Sequence, residues 1–89
     1  MGSLADWIDD FIDHLAAERM LSPHTLSNYR RDLDQLAGYC GEQKIALWKE
    51  LDTRLIRRYI AQQHSRGLSG KSLQRKLSSC RSFFRFLIR

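Results

Sequence analysis

Two short stretches bring hydroxyls, free backbone amides and a basic or imidazole group to one place. Ser22-Pro23-His24-Thr25 and Ser69-Gly70-Lys71-Ser72 each read as a helix start, where unpaired N–H groups and the positive end of the helix dipole favour a bound anion. The chemistry they offer is phosphate binding. Gly70-Lys71-Ser72 also ends like a nucleotide-cradling loop, but that motif needs Gly at position 65, where Ser65 stands, and a strand before it. A nucleoside triphosphate site is therefore not expected.

Bond-making chemistry finds little support. His14, His24 and His64 are dispersed, and no Ser/His/Asp or Cys/His arrangement follows from spacing. Cys40 and Cys80 stand forty positions apart with no CxxC and no histidine at ligand spacing, which points to two buried free thiols rather than a disulfide or a zinc site. No metal or cofactor is expected, and the chain as given is read as non-catalytic. No apolar run approaches a membrane span, and the acidic N-terminal segment does not resemble a signal peptide. A cytoplasmic protein is the expectation.

Charge is distributed unevenly. The 89 residues carry fifteen Lys/Arg and ten Asp/Glu, a net +5. Residues 1–21 hold five acids and one base (−4), while the remainder holds fourteen bases and five acids (+9). After Asp52 ten basic residues follow and no acid. A chain this short forms one domain, residues 1–89, and its 43% hydrophobic content is enough for a core.

Four helices account for the apolar spacing. Leu4, Trp7, Ile8, Phe11, Ile12 and Leu15 define the first, over about Ser3 to Arg19, with Asp6, Asp9, Asp10 and Asp13 largely off the stripe. Ser22 caps the second, Pro23 opens it, and Leu26, Tyr29, Leu33, Leu36, Ala37 and Cys40 line its inner face as far as Gly41. Residues 42–51 read as a loop, with Ile45, Leu47 and Trp48 tucked inward. Asp52-Thr53 starts a third helix ending at Arg66-Gly67, and Ser69 caps a fourth that runs to the chain end.

The fourth helix carries the strongest signal. At about 100° per residue from Lys71, the residues Leu73, Leu77, Cys80, Phe84, Leu87 and Ile88 fall between about 160° and 260°. Lys71, Ser72, Arg75, Ser78, Ser79, Ser82, Arg85 and Arg89 gather opposite. A basic, hydroxylic face of this kind suits the major groove of duplex DNA, where Arg and Lys read guanine and Ser meets phosphate. RNA is less favoured, since no strand-borne aromatic platform is present. Phe86 falls inside the polar face and Phe83 at its margin, so the aromatic helix end is read as a place where something continues or docks.

The run from Ser22 to Leu33, Arg66-Gly67-Leu68, Ser72-Leu73 and the stretch from Leu77 to Leu87 resemble, in order and spacing, the N-terminal core-binding domain of Xer-type tyrosine recombinases. The resemblance covers nearly the whole chain. It implies an all-α, four-helix SAM-like domain of short, orthogonally packed helices. With a C-terminal catalytic domain absent from this chain, that domain clamps double-stranded DNA at half of a recombination site. By position, His24, Thr25, Ser27, Asn28 and Arg31 would contact DNA from the second helix, and Lys71, Ser72, Arg75, Ser79 and Arg81 from the fourth. The family joins DNA through a 3′-phosphotyrosine made by its catalytic domain; Tyr29, Tyr39 and Tyr59 sit at core-like or surface positions and do not match that nucleophile. The resemblance also implies a parent that resolves chromosome or plasmid dimers as a tetramer with a related recombinase on two DNA sites. In that assembly the acidic first helix would meet a neighbouring protomer. The competing class is a helical protein-interaction module that recruits a partner through the aromatic end or the acidic helix.

Overall fold

The computed structural model describes residues 3–88. Arg89, placed above on the basic face, lies outside the described residues, as do Met1 and Gly2. Four helices follow in order: α1 (Leu4–Glu18), α2 (Pro23–Glu42), α3 (Thr53–Ser65) and α4 (Gly70–Ile88). No strand occurs among the described residues.

Each start has a local cause. The first free amides are taken up by Ser3 Oγ (from Asp6 N, 3.1 Å), Ser22 Oγ (from Thr25 N, 3.2 Å), Asp52 Oδ1 (from Leu55 N, 2.9 Å) and Ser69 Oγ (from Ser72 N, 3.2 Å). Such caps contribute about 1 kcal/mol apiece. Gly67, at φ +88°, makes the left-handed turn that releases the chain from α3.

The segment expected as loop contains a single 3-10 turn, Trp48–Glu50. Glu50 Oε1 accepts from the amides of Ala46 and Leu47, both at 3.0 Å, and so closes the turn. Trp48 is buried there and its Nε1 donates to Leu4 O at 3.2 Å, tying the turn to the start of α1. Ile45 is buried as expected. Leu47 is not: it is 40% exposed, because it precedes the turn and points away from the core.

α4 is the central helix and contacts α1, α2 and α3. That position corrects the reading of its faces. Phe83 and Phe86 are buried rather than offered to a partner, with ring centroids each 5.3 Å from Phe11, and Phe86 also lies 5.1 Å from His14. Leu73, Leu77, Phe84 and Leu87 are only half-buried. A helix with neighbours on several sides needs an apolar sector wider than one stripe, and its most buried line runs through Lys76, Ser79, Phe83 and Phe86. The exposed apolar residue at this end is Ile88, at 83%.

Cys40 and Cys80 are free and buried. Burial pushes both thiols up, from an ordinary 9.0 to about 11, and pushes Tyr59 up to about 12. The thiols stay neutral in the folded chain while the unfolded chain ionises, so their contribution is full below about pH 9 and is lost as pH rises through about 11, and Tyr59 follows between about 10 and 12. Lys76, lowered by burial, acts in the opposite sense below its ordinary range. The thermal unfolding midpoint is expected to fall steeply from pH 9 to 11, and Cys80→Ala to flatten that descent; an unchanged slope in Cys80→Ala would contradict this assignment.

Candidate functional site

The sequence-predicted residues fall on α2 and α4, and the structure joins the two helices through a buried acid. Asp32 is 1% exposed. Its Oδ2 accepts from Arg75 Nη1 at 2.6 Å and from Ser79 Oγ at 3.0 Å. One turn further along α2, Gln35 accepts from Lys76 Nζ, which also donates to Gln63 Oε1 of α3 at 2.8 Å. A polar layer thus links α2, α3 and α4.

Around this layer the candidate residues spread outward. On α2, His24, Ser27 and Arg31 are exposed, while Thr25 and Asn28 are half-buried. Arg31 Nη2 donates to Asn28 Oδ1 at 3.1 Å, and Ser22 Oγ lies 3.0 Å from Thr25 Oγ1. On α4, Lys71 is exposed and Ser72 half-buried, its hydroxyl accepting from Ser69 Oγ at 3.2 Å. Arg75 keeps 43% of its side chain exposed although one end is anchored on Asp32.

One placement differs from the helical wheel. Ser79, put on the polar face, is 5% exposed, and its hydroxyl is directed to Asp32. The Arg81 side chain is exposed and makes no hydrogen bond or ion pair among the described residues, so the polar layer does not hold it.

Sequence reasoning missed Asp32, Gln35, Gln63 and Lys76. The signal was present for Asp32, which stands at helical spacing between Tyr29 and Leu36, inside the apolar stripe of α2. Burial lowers the pKa of Lys76, and the nearby Asp32 charge opposes that shift. Lys76 is thus a basic residue of the structural layer, 7% exposed, and not of the solvent face.

The acidic face of α1 is exposed at Asp6, Asp9, Asp10 and Asp13. Only Asp9 among them forms an ion pair, with Arg30 of α2 at 2.8 Å, on a surface where such pairs contribute little. A separate apolar groove of about 720 Å³ is bounded by Trp7, Leu47, Ile56, Phe84, Leu87 and Ile88. None of the candidate α2 and α4 residues lines it. Among the described residues no three His, Cys, Asp or Glu side chains gather as a metal site would require, and no helix is long and apolar enough to cross a membrane.

Comparison with known proteins places this geometry in context. Residues 8–89 match the family model described as phage integrase, N-terminal SAM-like domain. The chain is similar to tyrosine recombinase XerC of Pseudomonas fluorescens strain Pf0-1, with 46% identity over 82 residues, covering 92% of this chain and 27% of that protein. It is also similar to tyrosine recombinase XerC of Azotobacter vinelandii (45% over 82 residues, 92% and 27%) and of Xanthomonas campestris pv. campestris (44% over 82 residues, 92% and 26%). The chain therefore spans about a quarter of the length of these curated relatives. No solved structure matches it.

Proposed function

Because the chain belongs to the phage integrase N-terminal SAM-like domain family, we propose that it is the DNA-gripping part of a Xer-type tyrosine recombinase, holding duplex DNA at half of a recombination site. The observation that carries this reading is the joint between α2 and α4. Asp32 on one helix binds Arg75 and Ser79 on the other, so two helix faces rich in Arg, Lys and hydroxyls form one surface. His24, Thr25, Ser27, Asn28 and Arg31 approach the major groove from α2, and Lys71, Ser72, Arg75 and Arg81 from α4. Ser79 acts from beneath, through Asp32.

In this reading the reaction is carried by the rest of the parent protein. A separate catalytic domain supplies the tyrosine that forms the 3′-phosphotyrosine link, and this part supplies register and half of the clamp. The parent works in the cytoplasm, as a tetramer with a related recombinase on two DNA sites, in resolving chromosome or plasmid dimers. The exposed acidic face of α1, with Asp6, Asp10 and Asp13 beside the Asp9–Arg30 pair, would then meet a neighbouring protomer.

A second reading, a protein-interaction module, is favoured by one observation, the apolar groove bounded by Trp7, Ile56 and Ile88. Titration of the chain with duplex DNA at low and moderate salt separates the two. The DNA reading expects retardation of duplex that is strongest at low salt, because single modules bind weakly. No retardation even at low salt would overturn it in favour of the groove.

A further inference from the structure

Arg75 is the one candidate contact residue whose charged end is fixed to the interior. Its Nη1 lies 2.6 Å from Asp32 Oδ2, while Lys71 is exposed and Arg31 is held only by a surface amide. The guanidinium carries five donors in a rigid fork. With one Nη1 proton directed at Asp32 and 43% of the side chain exposed, the other donors are presented in a set direction.

Stability alone is a poor reason for such a carboxylate. Asp32 is 1% exposed and its Oδ1 has no hydrogen-bond partner among the described residues. Desolvating a carboxylate is costly, and leaving one of its oxygens without a hydrogen bond adds to that cost. Orientation, however, is what a buried anion beneath a half-exposed arginine supplies. An anchored fork has less rotamer freedom to lose on binding, and a bidentate base contact requires a fixed angle.

We propose that Asp32 is a positioning residue that aims the Arg75 fork at a base edge, so that it governs sequence preference rather than total DNA affinity. This rests on the duplex-DNA reading above. Arg31 and Lys71, lacking such an anchor, follow phosphates, which carry no sequence information.

The test uses the chain itself, a random-sequence duplex pool, and the duplex that the wild-type chain enriches from that pool. Asp32→Asn keeps the volume and an oxygen for Ser79 but removes the charge that holds Arg75. It is expected to lose about fivefold or more of the preference for the enriched duplex over the unselected pool, the scale of one bidentate contact. In an Arg75→Ala background the same substitution is expected to change the preference no further. Equal weakening on pool and enriched duplex, or an added loss in the Arg75→Ala background, would overturn the proposal. A DNA-free measurement stands beside it: ¹⁵N relaxation of Arg75 Nε in the wild-type chain is expected to show an ordered guanidinium, loosened by Asp32→Asn. A mobile Arg75 in the wild-type chain overturns the positioning role even if Asp32→Asn does not fold. An ordered Arg75 in a chain that binds no duplex would instead locate the failure in the DNA reading.

Discussion

Replacing Phe83 with Ala is expected to lower the thermal unfolding midpoint by about 15 °C or more and to leave much of the chain unfolded near physiological temperature. Phe83 is 0% exposed, and its ring meets Phe11 at 5.3 Å, Trp48 at 4.8 Å and Phe84 at 5.9 Å between centroids. It thereby fastens α1 and the 3-10 turn to α4. Truncating a buried Phe costs about 3–5 kcal/mol, since the transfer loss is joined by a cavity the rigid surroundings do not fill. A chain of this size has a total stability of about 5–13 kcal/mol, so the loss is a large fraction of the whole, and each kcal/mol shifts the midpoint by about 4–8 °C. Far-UV circular dichroism against temperature reads the effect. Ile88→Ala, at a position 83% exposed on the same helix, is the control and is expected to change stability by less than about 0.5 kcal/mol. A shift of only a few degrees for Phe83→Ala would mean that the aromatic cluster does not hold the helices together.

The second large effect concerns binding. Reversing Arg31 and Lys71 together to Glu is expected to weaken duplex DNA binding on the order of 100-fold at ~0.1 M salt, since two cationic contacts become two repulsions. The slope of log affinity against log salt should fall by about 1.8. Both residues are exposed, and the only hydrogen bond lost is that from Arg31 to Asn28, so the fold is expected to survive. Arg57 and Arg58, exposed on α3, provide the comparison. Reversing them makes the same change in net charge away from the proposed surface, and a markedly smaller effect is expected. Equal losses for the two pairs would assign the binding to overall charge and not to α2 and α4.

The elements were legible because their punctuation is local. Ser22-Pro23, Asp52-Thr53, Gly67 and Ser69 mark starts and stops by chemistry that needs no tertiary partner, and all of them act as read. The inner faces were legible where a helix has one dominant apolar stripe, as on α1, whose buried Ile8, Phe11, Ile12 and Leu15 match the spacing. α4 resisted because its buried line changes character along its length. Lys76 and Ser79 meet Gln35, Gln63 and Asp32 in the N-terminal half, whereas Phe83 and Phe86 meet Phe11 in the C-terminal half. A wheel averaged over the whole helix places Ser79 outside and misjudges Phe86. The hidden partner was the other obstacle: Asp32 reads as one acid among ten until the fold brings Arg75 to it from 43 positions away. The candidate site was therefore legible as a set of exposed groups, while the buried acid that joins the two helices was not.

The central claim is that this chain grips duplex DNA through phosphate contacts made by α2 and α4. Its most direct test is a titration of the chain with duplex DNA over a series of salt concentrations. With about five phosphates neutralised, log affinity is expected to fall linearly with log salt at a slope near −4.5. Binding with a slope near zero, or no binding at the lowest salt, would contradict the account.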